Sequence, residues 1–222
     1  KNSFVLSERI EKTIELLKKP SNFPNFDGAI IKSFGEDIII GNALIEVSNS
    51  PQFKGFFRRK TLKSALKTLP LSLKLKIIGL LSLFPLFEPN SKNLSRICFT
   101  IWNNSLFRAF FSEQVLPFDY FFPLLLQDLG KIFIYKHCYK LNNEFSNIIP
   151  IDLSTSLCLK IQKLVLQKLG LEERFLPFME SGFDSQFEKQ GAILNLIKEI
   201  NWQYKIPERI KIGNGMKKIL QK

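Results

Sequence analysis

A chain of 222 residues with 45% hydrophobic and 23% charged residues has the balance of a globular protein and enough length for a substantial buried core, which excludes a disordered or fibrous polymer. Lys and Arg number 32 against 20 Asp and Glu, a net charge of +12 that disfavours cationic partners and favours acidic ones. The longest uncharged apolar run, Ile77 to Phe87, falls short of the roughly 20 residues a spanning helix needs, so membrane insertion is not expected.

The segments read as helical nearly throughout. Ser7 before Glu8 is an N-cap signal, and Ile10, Ile14 and Leu17 recur at helical spacing until Pro20. Phe23-Pro24-Asn25-Phe26 reads as a turn. A helix over 38–47 closes at Ser48-Asn49-Ser50-Pro51. Leu62, Leu66 and Leu69 form a third apolar stripe that Pro70 ends. The run LSLKLKI at 71–77 alternates like a strand. Leu and Lys favour helix, however, and no second alternating run lies nearby to pair with it, so helix is expected there too. Further helices are expected over 94–114, 119–138, 154–169 and 186–200, with Gly170 as the C-cap of the one before it. The expected architecture is all-α, one compact multi-helix domain over 1–222 in two helical lobes, with 181–222 a C-terminal extension and basic tail. Lys1 in place of Met is what a fragment of a longer chain would show.

Three cysteines, Cys98, Cys138 and Cys158, are far apart and odd in number, so free buried thiols in a reducing compartment are expected rather than a zinc site or a disulfide framework. With no leader-like N-terminus, the expected location is the cytoplasm. No phosphate-cradling or dinucleotide-binding glycine pattern and no nucleophile elbow occurs, and no cofactor is expected.

Several landmarks fall in a fixed order. Asp37-Ile38 opens a helix ending in Leu44-Ile45-Glu46-Val47-Ser48-Asn49-Ser50. Thr61-Leu62-Lys63-Ser64-Ala65-Leu66 follows, then Trp102-Asn103-Asn104-Ser105, and finally Leu125-Leu126-Gln127-Asp128-Leu129-Gly130-Lys131. This order resembles the HDOD family, the HD-related output domains of bacterial signalling proteins, whose pattern runs DP…LLRLANS, S-I-x-x-A-I-x-x-L-G, W-x-H-S and GLLHDIGK. The resemblance covers about residues 20–180. The chain departs from it at Ile38, where the family has proline, at Pro70, where it has glycine, and at Asn104 and Gln127, where the pattern has histidines.

Those two departures bear on chemistry. The resemblance implies that catalytic HD relatives hold a divalent metal through separated histidines, a His-Asp pair and a later aspartate. Such a metal lowers the pKa of a bound water to give a nucleophile near neutral pH. Amide oxygens are weak substitutes for imidazole, and the whole chain contains one histidine, His137. Asn104, Gln127, Asp128 and Lys131 therefore read as a degenerate HD site without catalytic residues or metal, with Asp128 capping a helix or pairing with Lys131 or a nearby base. His137 reads as structural.

The resemblance implies a non-catalytic signal-transduction module acting through protein contacts, with a signalling or regulatory protein as partner. Phe53, Phe56, Phe57 and the run Phe118-Asp119-Tyr120-Phe121-Phe122 are candidate interaction aromatics, although most of the 22 phenylalanines must fill the core. The alternative is binding of nucleic acid or a cyclic dinucleotide. From Val47 to Phe87 there is no Asp or Glu, while Lys54, Arg58, Arg59, Lys60, Lys63, Lys67, Lys74 and Lys76 all fall there. Arg58, Arg59, Lys60, Lys63 and Lys67, beside Phe56 and Phe57, are the candidate anion-binding set. A second basic cluster closes the chain at Lys211, Lys217, Lys218 and Lys222. A Lys-, Asn-, Ile- and Phe-rich composition drawn from AT-rich coding DNA would give the same excess without function.

Overall fold

The computed structural model describes residues 6–19, 24–53, 55, 58–89, 92–114, 120–141, 155–173 and 175. Among these, every regular element is a helix: α1 (Glu8–Leu17), α2 (Phe26–Phe34), α3 (Ile38–Ser48), α4 (Leu62–Leu66), α5 (Leu71–Phe87), α6 (Lys92–Ser112), α7 (Phe121–Leu126), α8 (Leu129–Leu141) and α9 (Thr155–Leu169). The expected helix at 186–200, the Gly213-Asn214-Gly215 stretch and the terminal basic cluster lie outside the described residues.

The organising element is α5. It packs against α1 and α3 on the N-terminal side of the chain and against α6 and α8 on the C-terminal side. A helix touched from several directions needs apolar residues all round rather than one stripe, and Leu75, Ile77, Ile78, Leu80, Leu83, Leu86 and Phe87 are all buried. This is why the strand-like alternation of LSLKLKI carries no strand. Its two lysines reach ion-pair partners on other helices, Lys74 with Asp27 of α2 at 2.5 Å and Lys76 with Glu113 just after α6. Gly79 lets α5 take the Phe122 ring against its backbone, where a Cβ would collide with the ring. One continuous hydrophobic core runs from Ile10 to Phe175.

Local capping explains the other boundaries. Ser7 accepts a hydrogen bond from the Ile10 amide. The turn at 23–26 was expected, but the helix that follows it was not. Asn25 adopts a left-handed φ of 59° and its Oδ1 accepts from the Gly28 amide at 3.0 Å, which starts α2 at once. Thr61 and Ser64 cap α4 reciprocally. At the far end Gly170, at φ +64°, closes α9: the Leu171 amide donates to the Leu166 carbonyl and the Gly170 amide to the Gln167 carbonyl.

The single helix expected over 119–138 is two helices, α7 and α8, broken at Gln127–Asp128. Gln162 of α9 fills the break. Its Nε2 donates to the Leu126 carbonyl at 2.8 Å and its Oε1 accepts from the Gly130 amide at 2.5 Å. These backbone groups at the junction thus meet a buried side chain instead of a helical neighbour. Gly130 permits the approach, since a Cβ there would sit 2.6 Å from the Cys158 carbonyl and 2.9 Å from the Gln162 nitrogen.

Candidate functional site: an ion cluster at the α7–α8 junction

The residues that order the resemblance are anchors of this frame. Asp37 accepts from the Ile39 and Ile40 amides, both at 3.1 Å, and pairs with Arg9 of α1 at 2.7 Å. Asn49 closes the α3–α4 connection. Its Nδ2 donates to the carbonyls of Ile45 and Arg59, and its Oδ1 accepts from the Arg59 amide at 2.8 Å. Trp102 of α6 is buried against Phe84 and Phe87, with ring centroids 5.2 and 4.8 Å away.

Of the candidate positions Asn104, Gln127, Asp128 and Lys131, Asp128 and Lys131 meet Arg108 where α6 crosses the α7–α8 break. Asp128 is buried between two cations. Arg108, one helical turn beyond Asn104 on α6, donates from Nη2 to Asp128 Oδ2, and Lys131 Nζ lies 2.7 Å from Oδ1. Asn104 and Gln127 are half-buried. Burial pulls the Arg108 guanidinium down to about 10, still protonated at neutral pH, and pulls Lys131 below the usual lysine value with the Arg108 charge adding to the effect. Burial raises the Cys158 thiol and the Tyr135 phenol. Arg108 Nε, Ser105 Oγ and Gln127 Oε1 are buried without a protein hydrogen-bond partner.

Asp128 does pair with Lys131, as the sequence implied. Arg108, its more buried partner, was not singled out, although its four-residue spacing from Asn104 puts both side chains on one helix face.

This donor set does not fit a divalent metal. Each oxygen of the Asp128 carboxylate is held by a cation, and the two positions that would supply imidazoles carry amides. Among the described residues no group of three His, Cys, Asp or Glu side chains is placed to hold an ion. His137 is exposed on α8.

The basic stretch is divided by the fold. Arg59 turns inward, its Nε donating to Thr68 Oγ1 at 2.6 Å and its Nη1 to the Ser48 carbonyl at 2.8 Å. It therefore leaves the candidate anion-binding set, because its guanidinium already holds the connection. Lys74 and Lys76 are ion-paired. Arg58, Lys60, Lys63 and Lys67 are exposed. Phe56, Phe57, Phe118, Asp119 and Lys54 lie outside the described residues.

The aromatic candidates also need correction. Phe53 packs half-buried against the core, and Tyr120, Phe121 and Phe122 are 5%, 0% and 4% exposed. They line the α6–α7 contact, and Phe121 and Phe122 meet edge to face. Among the described residues, the exposed aromatics are Phe99, Phe107, Phe110 and Phe111 of α6. Cys98 and Cys158 are buried and neither is in a disulfide, and among the described residues no helix is long and apolar enough to cross a membrane.

No family model and no curated protein matches the sequence. Two solved structures are similar in fold. One is an HDOD domain protein with unknown function from Geobacter sulfurreducens, with a TM-score of 0.57 at 17% identity over 89% of this chain and 71% of that one. The other is a putative metal-dependent phosphohydrolase from Shewanella amazonensis SB2B, with a TM-score of 0.59 at 14% identity over 98% of this chain and 81% of that one. The chain has the all-α fold of an HDOD/HD-like domain.

Proposed function

We propose that the protein is a non-catalytic regulatory module of signal transduction, working through protein contacts on an HD-type frame whose metal position is filled by the chain's own cations. The carrying observation is the Asp128 carboxylate, held by Arg108 and Lys131. A metal ligand in this position would need both cations displaced. The guanidinium is more than nine-tenths buried among packed helices, with no room to swing away cheaply. Cys98 and Cys158, neither of them in a disulfide, suit a reducing compartment such as the cytoplasm.

The test has two arms. The purified chain is expected to hold substoichiometric metal by elemental analysis, and to show no hydrolysis of bis-p-nitrophenyl phosphate or cyclic dinucleotides with added Mn²⁺. Turnover lost to EDTA and restored by metal would refute the reading. In a pull-down with nuclease present, specific proteins should be retained.

A second reading rests on the four exposed cations of the α3–α4 connection, Arg58, Lys60, Lys63 and Lys67. If nucleic acid or a nucleotide messenger binds there, affinity should fall steeply with salt, and reversing Arg58 and Lys63 to Glu should abolish it.

A further inference from the structure

The protein-contact reading leaves open where the contact is made, and α6 carries features that the frame does not use. A groove of about 350 Å³ opens between the end of α5 and the first half of α6. Its walls are Phe84, Phe87, Phe99 and Trp102, with Cys98 on the floor and Arg96 at the edge. Phe99 is 55% exposed beside it. At 3.6 residues per turn, Lys92, Arg96, Phe99, Phe107, Phe110 and Phe111 share one face of this helix, and all six are exposed. Phe107 and Phe111 stack with centroids 5.8 Å apart. Four exposed phenylalanines on one helix, one beside the groove and three two turns farther on, exceed what core packing requires, and exposed apolar groups clustered in this way mark an interaction site.

The charges beside the groove set the sign of what docks. From Lys92 to Ser112, α6 contains no Asp or Glu. Arg96 has no ion pair among the described residues. Of the acidic groups facing the area, Glu88 lies at the α5 end near Lys136 of α8, and Glu113 is taken by Lys76. We propose that this face of α6, with the groove at its N-terminal half, docks an acidic segment of a partner protein, placing a bulky apolar side chain in the groove and a carboxylate on Arg96. The proposal rests on the protein-contact reading and names its surface.

Other occupants fit less well. A second copy would set Lys92 and Arg96 near their own equivalents on a chain of net charge +12. A small amphiphile would fill the groove alone, yet the aromatic face continues from Phe99 to Phe111, about 18 Å farther along the helix. Single-stranded nucleic acid needs cations tracking the whole path, whereas the one cation between Phe107 and Phe111, Arg108, is buried against Asp128 on the inner face.

The experiment is a peptide-display selection on the full chain, followed by fluorescence anisotropy with the enriched peptides. Enriched sequences should pair an aromatic or leucine anchor with Asp or Glu within a few positions. Arg96→Glu and Phe99→Asp should each weaken binding by about tenfold or more while circular dichroism stays unchanged. Enrichment without acidic residues, no enrichment at all, or binding indifferent to both substitutions would overturn the proposal. So would sodium decanoate saturating the groove, read by Trp102 fluorescence, with no peptide selected. The same variants in the pull-down separate the two claims. Partners retained by both variants would remove this surface and leave the protein-contact reading standing, whereas no partner for the unaltered chain would remove both.

Discussion

Replacing Asp128 with Asn removes one charge and almost no volume. Its effect follows from what the carboxylate holds. Arg108 has a side chain only 5% exposed and Lys131 one 30% exposed, both directed at the same acid. Without the carboxylate, two cations face each other across a neutral amide, one of them out of reach of water. Removing one partner of a buried ion pair costs about 3–5 kcal/mol, mostly because the remaining charge is uncompensated. Set against a total stability of about 5–15 kcal/mol for an ordinary domain, D128N should remove at least about a fifth, visible as a large drop in the urea midpoint by far-UV circular dichroism. Replacing both members, Arg108→Met with Asp128→Leu, deletes the buried charges together. Apolar replacement of a whole buried pair is often neutral or stabilising by about 1–4 kcal/mol, so the double variant should be more stable than D128N. Lys131, being partly exposed, can turn its ammonium to solvent. A D128N midpoint close to that of the unaltered chain, or a double variant less stable than the single, would refute the account of this cluster as a buried counter-ion pair.

Three further outcomes test the same frame. In Arg108→Met the like charge beside Lys131 disappears, so its pKa should rise, measurable by NMR of labelled lysine side chains. Because Lys131 titrates lower when folded, its burial penalty is complete below the lowered pKa and is relieved as pH rises from there towards the ordinary lysine value. Gly130→Ala places a Cβ against the backbone of Cys158 and Gln162, so α9 must lift off the α7–α8 junction, and hydrogen exchange at the Gly130 amide should accelerate. Asn49→Ala loses three hydrogen bonds and leaves the part-buried Arg59 amide and carbonyl without this partner, while the Ile45 carbonyl keeps the Ser48 hydroxyl and the residue-49 amide. The expected cost is about 1–3 kcal/mol, read as a lower melting temperature with the helical spectrum retained.

Much of this frame can be read along the chain because it is local. Ser7, Asp37, Thr61 and Gly170 announce helix ends through hydrogen bonds to amides or carbonyls a few residues away, which is why α1, α3, α4 and α9 are visible without coordinates. What escapes is set by distant partners. The break between α7 and α8 depends on Gln162, more than thirty residues downstream, and the local signs of it, Asp128 as a cap and Gly130, do not outweigh the apolar run on either side. The inward turn of Arg59 depends on Thr68 and the Ser48 carbonyl, so a basic run that looks uniform splits into exposed cations and one structural one. The aromatic residues mislead for the same reason: Tyr120-Phe121-Phe122 is adjacent in sequence but enters the core, whereas the exposed phenylalanines are spread along α6 at helical intervals. The α2 helix was missed because a left-handed asparagine both ends a turn and begins a helix.

The two faces of α6 have separate tasks. Its inner face sends Arg108 to Asp128 and Trp102 into the Phe84 and Phe87 rings, tying the helix to α5 and to the α7–α8 junction. A metal at that junction would need open coordination positions and access for water. An internal guanidinium needs neither, and it lets the interior stay closed. The outer face carries the exposed Phe99, Phe107, Phe110 and Phe111. If the inner cluster anchors the outer face, D128N should disturb partner binding only to the extent that it unfolds the chain. R96E should abolish binding without moving the urea midpoint. That contrast assigns Asp128 to the frame and Arg96 to recognition, and a variant pair behaving the other way round would reverse the assignment.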